Sequence, residues 1–128
     1  RLIDFQDALL APDAYDLAAL LTDRTTAALV TPDLEARLLA HFTRARSAAG
    51  FPAGAELDAR YRACALHRAL KVIGRFHYLE CVKGKAGYLA YLPAVYAVGR
   101  RMLGSAPELA PARALLAPFV PELSGEPA

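Results

Sequence analysis

The sequence predicts a mainly α-helical chain with one short strand at its N-terminus and about five helices. Three observations predict this. Apolar residues make up 55% of the 128, with many Ala and Leu and no Trp, a composition suited to helices packed on helices. Apolar positions recur at three- and four-residue spacing over most of the chain instead of alternating. Capping residues, first-turn prolines and terminal glycines punctuate that periodicity. The length suits a single domain with its own core.

RLIDF reads as the strand, ending at the Gln6-Asp7 turn. A helix over about Ala14–Thr22 follows. Asp13 is placed as its N-cap, and Asp16 stands three residues later at the carboxylate position of a capping box. The next helix takes Thr31 as N-cap and Pro32 at N1. Its apolar stripe is Leu34, Leu38, His41, Phe42 and Ala45, and Gly50 ends it. The longest helix spans about Leu57–Val82, with Leu57, Tyr61, Cys64, Leu70, Ile73, Phe76 and Leu79 on its core face. Arg68, Lys71 and Arg75 line another stripe of it. KGKAG is a turn. YLAYLPAVYAVGRRML is one helical stretch, interrupted near Pro93 and closed by Gly104. A last helix covers Glu108–Ala117, and residues 118–128 form a flexible tail.

Net charge is +2, but it is unevenly spread. Residues 1–35 hold seven acids against Arg1 and Arg24, whereas residues 36–113 hold thirteen Lys or Arg against four acids. That pattern points to anionic small molecules held through a metal, not to nucleic acid. No signal peptide is visible, and no apolar run approaches the ~18 residues of a membrane span. A cytoplasmic chain without nucleic-acid or membrane partners is expected, with Cys64 and Cys81 reduced.

Asp4 and Asp7 carry the chemistry of interest. A carboxylate at the end of a strand, on a turn, is exposed and rigidly held. Magnesium in phosphoryl transfer takes one or two such carboxylates and completes its octahedron with phosphate oxygens and water. D-x-x-D after an apolar triplet also occurs in ordinary turns, where Asp is favoured for its own backbone bonds.

LIDFQDALLAPDAYDLAALL resembles the metal-binding segment of the aminoglycoside phosphotransferase-like kinases, a branch of the protein-kinase-like fold. RALKVIGRFHYLECVKGKAGYLAYLPAVYAVGRRML resembles the C-terminal helices of one subgroup, the bacterial kinases of N-acetylmuramate and N-acetylglucosamine in cell-wall recycling. The resemblance spans essentially the whole chain and is most specific over residues 2–21 and 68–103. It implies that residues 1–128 are the C-terminal, substrate-side helical part of an ATP- and magnesium-dependent sugar kinase. Asp4 then matches the metal- and cofactor-binding aspartate, and Gln6 and Asp7 line the site beside it. Asp16 matches the helix aspartate that braces the catalytic loop; its local alternative is to serve only its own helix.

The family's H-x-D-x-x-x-x-N loop, which supplies the base, is not in this chain, nor is the nucleotide-binding lobe. The chain alone is therefore expected to be inactive. His67 and Ala69 stand where subgroup members often carry Gln and Asn, and Ala94 where a basic residue is common. Arg68, Lys71 and Arg75 are substrate-side candidates, with a solvated or ion-paired face as the alternative. Two rival functions are an antibiotic phosphotransferase and a non-catalytic helical interaction module. The first fits poorly, since a polycationic drug needs more carboxylates than the four in residues 36–113. A zinc site from Cys64, His67, His77 and Cys81 fails on geometry. In one helix the two cysteines stand ~25 Å apart.

Overall fold

A computed structural model describes residues 10–26, 29–51 and 56–125. Among these residues the chain is helical: α1 (Tyr15–Leu21), α2 (Pro32–Ala48), α3 (Glu56–His77), α4 (Leu92–Ser105) and α5 (Ala110–Leu116). The expected strand, with Asp4, Gln6 and Asp7, lies outside the described residues. No helix among them is long and apolar enough to cross a membrane.

Local signals set α2 as expected. The Thr31 side chain accepts a hydrogen bond from the Leu34 N–H at 3.2 Å, and Pro32 follows in the first turn. At the other end Gly50 adopts φ 79°. Its N–H donates to the Ser47 carbonyl (3.1 Å), and the Phe51 N–H donates to the Arg46 carbonyl (3.0 Å). Those two bonds close a Schellman motif, which needs the left-handed glycine. The inward face differs from the expected one. Glu35 is only 4% exposed and Leu38, Leu39 and Phe42 are partly buried, while His41 and Ala45 face solvent. The Arg101 guanidinium and the Tyr61 hydroxyl draw Glu35 inward, rotating the buried face away from the purely apolar reading.

Asp13 does not cap α1. Ala14 occupies the cap with a helical backbone and no side-chain bond. The Asp13 carboxylate instead pairs with Arg46 Nη2 (3.1 Å) and Arg60 Nε (3.1 Å). Two guanidinium donors outcompete one first-turn N–H because charge-assisted bonds are stronger.

α3 is the centre of the fold and packs against α4 and α1. Coverage from two sides widens its buried face beyond the expected stripe to Ala65, Leu66 and Ala69, whereas Leu70 and Leu79 are only partly buried. The helix ends five residues earlier than expected, at His77, and Tyr78–Val82 widen into a π-helical turn. The Glu80 carboxylate accepts the Leu89 N–H at 2.8 Å across the following turn, which Gly84 (φ 64°) and Gly87 (φ 96°) make feasible. Pro93 does not interrupt a helix. It sits in the first turn of α4, where its missing N–H has no intrahelical partner to lose. Gly104 lies within α4, which ends where Ala106 turns extended.

The expected tail is docked over its described part. Leu123 is 2% exposed and joins the core with Tyr61 and Met102. Arg100 Nη1 donates to the Glu122 carbonyl at 2.8 Å. Gly99 makes the approach feasible, since a Cβ there would stand 2.6 Å from Leu123 Cδ2. Leu123→Ala is expected to cost about 2–4 kcal/mol. Gly99→Ala should cost less in that background than in the wild type, because the atom it meets is gone. Urea melts of the two single variants and the double variant check this; equal costs in both backgrounds would mean that residue 123 does not pack on residue 99.

Candidate functional site

Three depressions border α3 among the described residues, and two of them, on different faces, hold expected site residues. The larger is a groove of about 960 Å³. The segment Leu10–Asp16, excluding Ala14, forms one wall, and Ala63, Cys64, His67 and Lys71, one helical turn apart, form the other. Asp13 holds the first wall in place, because Arg46 on α2 and Arg60 on α3 both clamp its carboxylate. Arg46 also lies over the Phe42 and Phe51 rings, at 5.8 and 5.4 Å, fastening the end of α2 to the same node. Across the groove the Tyr15 and His67 rings meet at 6.3 Å, tilted by 51°. Burial, and then the Asp13 carboxylate, push the Cys64 thiol up, so it stays protonated at neutral pH and is no nucleophile.

Of the expected site residues, Asp16 and Lys71 come together on this groove, both exposed. Asp16 lies in the first turn of α1, where a carboxylate favours the helix dipole. The groove starts three residues after Asp7 in sequence. The basic stripe does not act as one face. Arg75 is exposed and borders neither depression, and Arg68 turns the other way.

The second depression is a cavity of about 80 Å³ between the residues after α1, α3 and α4. Arg68 Nη2 donates to Asp23 Oδ2 at 3.1 Å. The other oxygen, Asp23 Oδ1, accepts the Thr25 N–H (2.9 Å) and the Thr25 hydroxyl (2.7 Å). The Thr25 bonds first, and then the Arg68 charge, hold the Asp23 carboxyl below its usual range despite partial burial. Arg24 lies over the Tyr91 ring at 4.9 Å and the Phe76 ring at 5.5 Å. Tyr88 packs on Phe76 at 5.4 Å, and the Tyr96 hydroxyl stands 3.5 Å from His77 Nε2, so these tyrosines are core-edge groups.

Sequence reasoning missed Asp23 and Arg24. The D-x-T spacing announces a turn in which Asp bonds backbone two residues on. It says nothing of Arg68, which is 45 residues away.

No family model and no solved structure matches the chain. Curated proteins do. An alignment of 121 residues, covering 90% of this chain and 34% of the relative, is 37% identical to an N-acetylmuramate/N-acetylglucosamine kinase of Pseudomonas putida. A protein of the same name from Neisseria meningitidis serogroup B is 37% identical over 124 residues, 92% of this chain and 36% of the relative. Another from Caulobacter vibrioides is 33% identical over 100 residues, 74% of this chain and 25% of the relative. The chain thus spans about a third of the length of the first two curated relatives it matches. The resemblance carried by residues 2–21 and 68–103 holds along most of the chain, which is a relative of the N-acetylmuramate/N-acetylglucosamine kinases.

Proposed function

We propose that residues 1–128 are the C-terminal, substrate-side part of a kinase that moves a phosphoryl group from ATP to a hydroxyl of an amino sugar. The similarity to proteins named as amino-sugar kinases, over nine-tenths of the chain, carries this reading. The donor chemistry suits magnesium, since Asp4 offers hard carboxylate oxygens at the end of an apolar run. Asp4 would hold the metal, and Gln6 and Asp7 would order the site beside it. When bound, magnesium neutralises charge that develops on the transferring phosphoryl group. Lys71 would border the sugar side through the groove that opens just after this segment, and Asp16, on the same groove, would brace the catalytic loop. The work fits cytoplasmic recycling of cell-wall sugars, where ATP is at hand.

The test compares the purified chain with a fusion that joins the upstream part of the Pseudomonas putida relative to residues 1–128. With ATP and magnesium, the fusion is expected to phosphorylate N-acetylmuramate or N-acetylglucosamine. The chain alone is expected to transfer nothing, having one of the expected metal ligands and no general base. Turnover by the pure chain that vanishes in Asp4→Ala would overturn the second expectation. A folded fusion inactive on both sugars would overturn the first.

A further inference from the structure

We propose that the cavity between the residues after α1, α3 and α4 binds a short-chain carboxylate, with Arg24 and Arg68 gripping its head. Two guanidinium groups border this cavity and only one carboxylate does, that of Asp23. Asp23 is already occupied, with one oxygen bonded twice by Thr25 and the other bonded by Arg68. Arg68 spends only Nη2 on that pair, so its remaining N–H groups have no protein acceptor among the described residues. Arg24 makes no ion pair or hydrogen bond among them; it lies over the Tyr91 and Phe76 rings and is exposed, so its N–H groups can meet a ligand. The cavity therefore keeps an excess of one positive charge and several unfilled donors.

Its other walls select the rest of the ligand. Ala69, Val72, Phe76, Val95 and Val98 form an apolar bed under the two arginines. A space of about 80 Å³ suits a two- or three-carbon acid, such as lactate, better than a whole sugar ring. A planar carboxylate matches the fork of a guanidinium, and an alkyl stem matches the valines. The same chemistry has two sources, a free small acid or the lactyl group of N-acetylmuramate. N-acetylglucosamine lacks that group. The cavity assignment for a free acid does not depend on the kinase reading.

Methyl and amide NMR of the 128-residue chain tests it with lactate, N-acetylmuramate, N-acetylglucosamine and inorganic phosphate as separate probes. Lactate is expected to shift Ala69, Val72 and Val98, and N-acetylglucosamine to leave them unmoved. Arg24→Gln should weaken lactate binding about tenfold or more; it also removes the stacking on Tyr91 and Phe76, so a melt of the variant is run beside the titration to confirm that it stays folded. Val98→Phe, which fills the apolar end and leaves both arginines, should abolish it. Shifts from N-acetylmuramate as well would identify the sugar's lactyl group as a source; shifts from lactate alone would support the site with a free acid as its ligand. The proposal is overturned if lactate moves none of these residues, if phosphate moves them as strongly, or if Arg24→Gln leaves the affinity unchanged.

Discussion

Asp4→Asn, made in the fusion with the upstream part of the Pseudomonas putida relative, is expected to lower kcat about a thousandfold and leave the fold intact. Asparagine keeps the shape and one acceptor oxygen of the side chain but removes the charge that would hold magnesium. The loss of transition-state stabilisation is about 4 kcal/mol, since each ~1.4 kcal/mol is a factor of ten in rate. Asp7→Asn is expected to cost much less, because on the proposed reading Asp7 would order the site and would not bear the metal. Steady-state kinetics at saturating ATP, with circular dichroism of each variant, separates the two. Equal losses at both positions would show that the two aspartates share the metal, and an unaffected Asp4→Asn would remove Asp4 from the site.

Glu35→Ala is expected to destabilise the chain by about 3 kcal/mol. Glu35 is buried between two donors. The Tyr61 hydroxyl donates to Oε1 at 2.5 Å, and Arg101 Nη1 pairs with Oε2 at 2.6 Å. Removing one partner of a buried pair typically costs ~3–5 kcal/mol. Here the lower end applies, because Arg101 keeps 35% of its side chain exposed and regains water. Tyr61 does not regain it, being 1% exposed, and an unsatisfied buried hydroxyl costs ~1–3 kcal/mol. Glu35→Gln should therefore cost less than Glu35→Ala, since it keeps an acceptor for Tyr61.

The same hydroxyl predicts an alkaline limb. Burial, then the bond to Glu35 and its negative charge, raise the Tyr61 phenol well above its ordinary range. Above pH ~10 the unfolded chain releases this proton and the folded chain keeps it. Stability then falls as pH rises, by up to about 1.4 kcal/mol per pH unit. Urea unfolding between about pH 8 and 11 checks this slope, which Tyr61→Phe should flatten. An unchanged slope in that variant would place the linkage on another group.

The amino-acid sequence by itself determined the mainly helical class and the ends of α2. Thr31, Pro32 and Gly50 act through bonds to residues within a turn or so, and such signals are complete within a short window. It also carried the likeness to the amino-sugar kinases, through segments that can be matched without any geometry. Only the tertiary structure decided what the charged and terminal groups do. Asp13 reads locally as a cap but meets Arg60, 47 residues on; Arg68 reads as part of a stripe but meets Asp23; Glu35, in the first turn of α2, meets Tyr61, 26 residues on. Leu123, in an expected tail, meets Gly99. The physical reason is the same in each case. A helix repeat says which residues share a face, but the partner of a charge or an apolar group is set by which distant element packs there, and a partly buried, charge-assisted pair outweighs the weak local preference for a cap or a solvated surface.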